Sequence, residues 1–517
     1  MSALKTVRQI ADYAAEKYGD KDFCRFLRNG EVNKKSFVEF REDCLAVCRY
    51  IRTVEADKVH IAFLGKTNYE YIACLTGMIF SGNTVVPFAP DITVEEACRL
   101  FDDADIEILF CEEDFAGKAQ EIQTRYPALR KIISLGDSKW FEDIFNKYSS
   151  QSEYASLSDV ETDPDECALI IYTSGTTGVR KGVMLSNSNL ASNTCYDAYN
   201  LEGDDVCISI LPMHHVFCYA CDVLKNLYDG AVLCLNGDLT QLYRNLLIFE
   251  PTIIRIVPSI CKSLLTKIKI MHRRHPELSP EEAAQLVVGK NFRRMIAGSA
   301  FLSGALIDEF AKYSITARQG YGMSECSPRI TTSDFSEECK YSNGILTGVD
   351  EVREKDGEIQ VKGPSVMLGY YKKPEETAAA FTEDGFLHTG DLGYIENGHV
   401  YLVGRKKNLI ILSNGENISP EEIENRFVDD AIIKEIVVTG ENDSLIANIF
   451  PDADVAALAG IEDIETEIEK IIDRINADSK SDRQIHSFRI RKTPFKRTST
   501  GKIKRTSTFF DEEETGR

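Results

Sequence analysis

Residues 171–183 read IYTSGTTGVRKGV. Thr173, Ser174, Thr176 and Thr177 supply hydroxyls, Gly175, Gly178 and Gly182 supply backbone amides without bulk, and Arg180 and Lys181 supply positive charge. The run follows the apolar stretch 168–172, which reads as a buried strand, so it lies at a strand's carboxyl end, where open α/β sheets tend to bind ligands. Glycines that admit positive φ, set among hydroxyls and cations, suit a polyphosphate. The common P-loop is excluded, because no Gly-Lys-Ser or Gly-Lys-Thr closes the run. The GKT at Gly65–Thr67 fails too, with His60 where that motif needs its first glycine.

Further clusters with chemical potential follow. His214 and His215 sit in LPMHHVF (211–217), and Gly298, Ser299 and Ala300 sit in IAGSA. Gln319, Gly320, Tyr321, Gly322, Met323, Ser324 and Glu325 spell QGYGMSE. TGDLG spans 389–393, GRKKNLI spans 404–410, and RTSTGKIKR spans 497–505.

These residues need a frame. From Val59 to Val403 short β-rich runs such as TVVPFAP, ALIIYTS, VCISILP, TIIRIVPS and TARQGYG alternate with helical stretches such as SGALIDEFAKY, a pattern that predicts parallel sheets covered by helices. Residues 344–403 are rich in Gly, Pro and short strands and predict a smaller, mostly antiparallel unit. Residues 405–517 predict a separate α+β domain, with SPEEIE starting a helix capped by Ser419, Pro420 at its first position and Glu422 completing a capping box. The fold class is therefore α/β: a large domain over 1–404, then a small α+β one over 405–517. NDSL (442–445) lies between two predicted strands and reads as a hairpin turn, not as a carrier-protein serine site. The tail DEEETGR is expected to fray.

Composition narrows the class. A chain of 517 residues needs more than one core. Its net charge of −22 argues against broad binding to nucleic acid or anionic membranes. No run is long and apolar enough for a transmembrane segment, and the early acids of MSALKTVRQIADYAAEKYGD do not fit a signal or transit peptide. The fifteen cysteines are then expected to be reduced thiols of a cytoplasmic protein, and Cys218 and Cys221 in CYAC to be buried in a helix.

Taken in order, the motifs resemble the adenylate-forming superfamily: acyl-CoA synthetases, nonribosomal-peptide adenylation domains and firefly-type luciferases. The resemblance spans nearly the whole chain and implies attack of a carboxylate on the α-phosphorus of ATP, giving acyl-AMP and pyrophosphate. By resemblance the 173–182 loop with Lys181 holds the β- and γ-phosphates, Tyr321 faces the adenine, Ser324 the phosphates and Glu325 a Mg2+ ion. Asp391 takes the ribose hydroxyls with Arg405 beside it, and Gly298, Ser299 and Ala300 let the backbone close over the adenine and the acyl channel. Lys502 bridges carboxylate and α-phosphate, ahead of its neighbours Lys504 and Arg505. A thiol then replaces AMP after the small domain turns about Lys407, where relatives commonly carry Asp, and Gly415 lines a tunnel for the pantetheine arm of coenzyme A. His215 stands beside the acyl carboxylate or the tunnel mouth, or else His214 and His215 are a polar strand end.

Amino-acid-activating relatives carry Asp directly after the phenylalanine of this region. Here Phe217 is followed by Cys218, and Asp222 falls late, so a fatty or other apolar acid is expected. An acyl or peptidyl carrier-protein phosphopantetheine is the rival acceptor. A non-catalytic ATP-binding scaffold would be expected to lack Lys502, Glu325 or Asp391, and all are present.

Overall fold

The computed structural model describes residues 4–55, 57–135, 138–174, 180–196, 201–413, 415–497, 503 and 505. Two compact units divide the chain. The first comprises Met1–Ala300, Glu309–Val352 and Val361–Leu387, and the second Phe301–Asp308, Arg353–Gln360 and His388–Arg517.

In the first unit, short β-rich runs become strands buried along their length, as at Ile253–Ile256 and Val232–Leu235. One seven-stranded sheet runs Thr316–Gln319, Arg294–Ala297, Ile253–Ile256, Val206–Ser209, Val232–Leu235, Asp22–Arg28 and Glu31–Ser36. Its neighbours are parallel except for the terminal hairpin. A second seven-stranded sheet is parallel from Cys167–Ser174 through Thr84–Phe88, His60–Leu64 and Ile106–Glu112 to Lys131–Leu135. Its other edge is antiparallel: Arg180–Ser186 folds back on Cys167–Ser174, and Gly369–Tyr370 pairs with Met184 and Val183. This last strand lies within the stretch expected to form the antiparallel unit, yet it completes a largely parallel sheet.

Helices cover the sheets. The tightest helix contact uses Gly77, where an added Cβ would lie 2.6 Å from the Cys44 carbonyl and from Val47 Cβ, so helices Phe37–Val54 and Tyr69–Phe80 meet backbone to backbone. Among the described residues no helix is long and apolar enough to cross a membrane.

In the second unit the hairpin Leu387–Glu396/His399–Arg405 carries Glu358–Lys362 and then Glu351–Lys355 alongside. Beyond it, Ile433–Glu441, Ser444–Pro451 and Ile485–Ile490 form a three-stranded sheet. Helix Ile464–Ala477 joins that core through Ile468, Ile471, Ile472 and Ile475, one stripe at helical spacing. Asn442 and Asp443 both have positive φ (49° and 59°), as a tight hairpin turn requires, and this bears out the turn reading of NDSL. Ser419 does cap helix Pro420–Glu424, but the capping box stays half made: the Glu422 carboxylate pairs with Arg483. A cation that the sequence pattern does not reveal outcompetes the local backbone amide.

Glu424, at the end of that short helix, accepts from Val438 N–H at 2.7 Å and pairs with Arg505. Burial pushes its carboxyl up to about 7 from 4.5 despite the guanidinium. A folded value above the unfolded one stabilises fully below the unfolded pKa and fades as pH rises through the folded one. The wild-type melting temperature should therefore fall relative to that of Glu424→Gln between about pH 5 and about pH 8. Parallel melting curves over that range would refute the assignment.

Candidate active site

Thr316–Gln319, Arg294–Ala297, Ile253–Ile256 and Val206–Ser209 are adjacent and parallel, so the turns after their carboxyl ends leave one edge of the sheet. This brings three sequence-predicted clusters of the first unit together: Leu211–Phe217, Gly298–Ala300 and Gln319–Glu325. An added Cβ on Gly298 would meet the Phe217 ring at 3.4 Å and the Gly320 carbonyl at 3.9 Å. The Phe217 ring therefore borders Gly298. Ser299 holds φ +68°, and Ser299 and Ala300 are exposed.

The turn after Gln319 is built by backbone contact. Gln319 is buried and accepts from Asn343 Nδ2 at 3.3 Å. Tyr321, 8% exposed, donates its N–H to Thr331 Oγ1 at 2.8 Å, and its carbonyl accepts from the Ile330 and Thr331 amides. Gly322 bridges to Arg329, Met323 N–H donates to the Pro328 carbonyl at 2.8 Å, and Ser324–Cys326 forms a 3-10 turn. A side chain on Gly322 would run into that same Pro328 carbonyl.

A distant strand clasps this turn to the opening hairpin. Met367 N–H donates to the Glu325 carbonyl, Leu368 N–H to Met184 and Tyr371 N–H to Gly182. The Tyr370 hydroxyl donates to Glu325 Oε1 at 2.9 Å, and Lys181 Nζ stands 4.7 Å from the Tyr370 ring centre. Burial and the Glu325 carboxylate push the Tyr370 phenol up, so it remains a donor at neutral pH. Thr173 pairs with Lys181 across the hairpin and Ser174 with Arg180, so both residues expected in the loop are strand residues. Gly182 is also in a strand: its need for glycine is the 2.8 Å approach to Ile170 Cγ2 rather than positive φ. Arg180 is engaged by Glu96 at 2.8 Å.

His214 and His215 have ring centres 4.2 Å apart. Burial, then His215 and Arg180, drive His214 down to about 3, and burial and Arg180 lower His215 as well. Both are neutral at physiological pH. Cys218 and Cys221 are buried in the helical segment that follows, as expected, although Tyr219–Leu224 winds as a π-helix. Asp222, on that turn, pairs with Arg255 at 3.1 Å, both buried.

In the second unit Asp391 and Arg405 face each other across the hairpin, Oδ1 to Nε at 2.8 Å. Sequence reasoning singled out both but missed what holds them. The buried Glu358 accepts from Gly390 N–H at 2.9 Å, His388 Nδ1 at 3.0 Å and Lys406 Nζ at 3.2 Å. Burial alone would raise its pKa; those three donors outweigh it and the carboxyl is lowered. Glu358 falls within residues 344–403, whose Gly-rich, β-rich texture marks strands and gives no sign of a buried acid. Lys406–Asn408 is a 3-10 turn containing Lys407. Gly404 needs to be glycine because a Cβ would strike the Ser419 hydroxyl, which donates to the Val403 carbonyl at 2.7 Å. Gly415 has φ +83° with open space around it, a backbone reason for glycine that needs no ligand. Gly175, Thr176, Thr177, Gly178 and Lys502, with Lys504 and the acidic tail, lie outside the described residues. On either side of Lys502, Arg497 pairs with Glu435 at 2.5 Å and with the backbone of Ile503, and Arg505 pairs with Glu424.

Residues 11–371 match the family model for AMP-binding enzymes, and residues 407–511 match that of the AMP-binding enzyme C-terminal domain. A long-chain-fatty-acid–CoA ligase of Bacillus subtilis is 29% identical over 85% of this chain and 83% of its own length. Long-chain-fatty-acid–CoA ligase 1 of Cavia porcellus is 27% identical over 72% of this chain, and the match spans 62% of that relative. A 2-succinylbenzoate–CoA ligase of Bacillus anthracis is 29% identical over 80% and 82% of the two chains. Among solved structures, ATP-bound MatB from Rhodopseudomonas palustris has the same fold at a TM-score of 0.80 and 22% identity, covering 96% of this chain and 97% of its own. MenE from Bacillus subtilis, bound to its acyl-adenylate intermediate, gives 0.75 at 21%, covering 98% and 99%.

Because the Gly322 contact is backbone on backbone, Gly322→Ala must open the Tyr321–Arg329 turn. It should cost about 1–3 kcal/mol of stability and detach Glu325 from Tyr370. Urea unfolding of the variant together with Tyr370→Phe measures this. A Gly322→Ala protein as stable as wild type would show that the turn tolerates a side chain.

Proposed function

Because the chain belongs to the AMP-binding enzyme family, we propose that it activates a carboxylic acid with ATP to an acyl-adenylate, releasing pyrophosphate, and passes the acyl group to the thiol of coenzyme A. The observation that carries this reading is the Lys181–Tyr370–Glu325 cluster at the hairpin of Cys167–Ser174 and Arg180–Ser186. A cation and a carboxylate are held there within one clasp, the pair that a nucleotide polyphosphate and its magnesium ion need.

Glu325 offers a hard oxygen ligand oriented by Tyr370, which fits Mg2+; the bound ion would neutralise phosphate charge. Thr173, Ser174, Gly175, Thr176, Thr177, Gly178, Lys181 and Ser324 take the phosphates, and Gln319–Met323 with Gly298–Ala300 border the base. Asp391 accepts from the ribose hydroxyls, for which its bond to Arg405 must loosen or be shared. The neutral His215 serves as a hydrogen-bond partner for the acyl carboxylate or the thiol. Lys502 brings its charge to the α-phosphate and the carboxylate, and residues 405–517 turn about Lys407 for the thiol step, with Gly415 beside the pantetheine arm.

The acid is fatty or otherwise apolar. Relatives named as long-chain-fatty-acid–CoA ligases support this, and Asp222 is already engaged by Arg255 rather than offered to a substrate ammonium. The rival acceptor is a carrier-protein pantetheine, since both thiols end in the same arm.

Mass spectrometry of the protein with ATP, magnesium and a panel of acids should show AMP and acyl-CoA only when an aliphatic acid and CoA are both present. Acyl-AMP that accumulates regardless of CoA would point to a carrier protein, and no adenylate with any acid would overturn the reading. Lys502→Ala should slow adenylate formation by about two to three orders of magnitude while sparing the thiol step from preformed acyl-AMP. Equal loss in both steps would remove Lys502 from the role. Glu358→Ala should raise the KM for ATP about 10- to 100-fold, the scale of losing a hydrogen bond to a charged group. Glu358→Gln, which can still accept from Gly390, should do less, and identical kinetics in the two variants would refute the positioning role.

A further inference from the structure

The net charge of −22 conceals a face of opposite sign. Helix Pro258–Arg274 carries Lys262, Lys267, Lys269, Arg273 and Arg274 and contains no Asp or Glu, and its neighbour Leu242–Phe249 carries Arg244 and no acid. The two helices are joined at the surface: the Tyr243 hydroxyl is 3.0 Å from Ser263 Oγ, and Lys267 Nζ lies 3.5 Å from the Tyr243 ring centre. Exposed aliphatic side chains stand among these cations, with Leu247 48%, Ile248 38% and Ile270 44% exposed. Cys261, Leu264, Leu265 and Ile268 anchor the opposite side of the longer helix in the core. The outer face is therefore a fixed platform about 25 Å long at 1.5 Å per residue.

Among the neighbouring carboxylates, Glu309 holds Lys269 at 2.5 Å and Glu250 faces Lys290 at 3.5 Å, while Glu277 lies 3.1 Å from His275 and Glu281 and Glu282 stand exposed at the start of helix Pro280–Val288. In a chain with 60 basic and 82 acidic residues, two adjoining helices free of carboxylates run against the composition. Cations spread along a flat face, with aliphatic tips between them, match a surface of negative headgroups over hydrocarbon better than a pocket-sized anion.

We infer that the face formed by Leu242–Phe249 and Pro258–Arg274 docks this protein on an anionic lipid surface. The overall charge excludes broad attraction to such surfaces but not a local, oriented one. Docking is independent of the acid-activation reading, since it is measured without turnover.

The test is flotation of the full chain with vesicles of phosphatidylcholine alone or of phosphatidylcholine with phosphatidylglycerol. Binding should favour the anionic vesicles and weaken as salt is raised. Each cation near such a surface is worth about fivefold in partitioning, so the triple variant Arg244→Gln, Arg273→Gln, Arg274→Gln should lose about two orders of magnitude. Leu247→Ser with Ile270→Ser should weaken binding without changing its salt dependence, and thermal melts of both variants establish that they fold. Equal partition to both vesicle types, or anionic binding unchanged in the folded triple variant, overturns the proposal. So does binding to polyglutamate with no affinity for vesicles, which would make the face a dock for an acidic protein.

Discussion

The hydrogen bond from the Tyr370 hydroxyl to Glu325, beside the backbone bonds of Met367, Leu368 and Tyr371, ties together three stretches of the first unit that are remote in sequence. Tyr370 belongs to a two-residue strand whose backbone pairs with Val183 and Met184, next to Lys181. The segment leading into it is held by Asn189, whose side-chain amide donates to the Pro364 and Val366 carbonyls, and by Ser327, which donates to Ser365. The tyrosine therefore reaches Glu325 from a backbone fixed on two sides. A carboxylate buried to this degree is costly unless it is hydrogen-bonded, and the phenol lowers that cost while keeping the carboxylate aimed. The site in this unit is thus a product of edge-strand pairing as much as of the motifs themselves.

Charge in the second unit follows the same logic. Asp391 and Glu358 are both largely buried; Arg405 across the hairpin matches the first, and His388, Lys406 and the Gly390 amide match the second from the neighbouring hairpin and the turn that follows it. Such pairing offsets the penalty of an isolated buried carboxylate and fixes the Thr389–Asp391 stretch of the strand. It also means that any ligand accepted by Asp391 meets a carboxylate already engaged by a cation.

The parallel sheets and the order of the motifs are legible in the sequence because each strand is a short β-rich run and each motif is a contiguous string. What escapes is whatever depends on pairing over long separations. Tyr370 contacts Glu325 from 45 residues away, and Glu358 reaches Gly390 from 32, so neither partnership leaves a local pattern. The same cause explains Glu422, whose spacing from Ser419 promised a capping box until Arg483, 61 residues on, took its carboxylate. Glycines were legible as glycines but not for their reasons: Gly182 and Gly322 make room for atoms of other residues rather than for left-handed backbone, and Gly404 does so while also holding φ +159°. The cationic face of Pro258–Arg274 was hidden by averaging, since a net charge says nothing about where the signs lie.

The π-helical turn at Tyr219–Leu224 carries a consequence for how this region tolerates change in length. A π-turn is one residue inserted into an α-helix, and one residue corresponds to about 100° of rotation. Everything before it, the Phe217 ring against Gly298 and the His214–His215 pair included, is therefore phased to the buried Asp222–Arg255 pair by that extra residue. A chain shortened by one position here would regain regular helix and swing either the ion pair or the histidines out of place. In this stretch the number of residues is itself a structural constraint, separate from their identity.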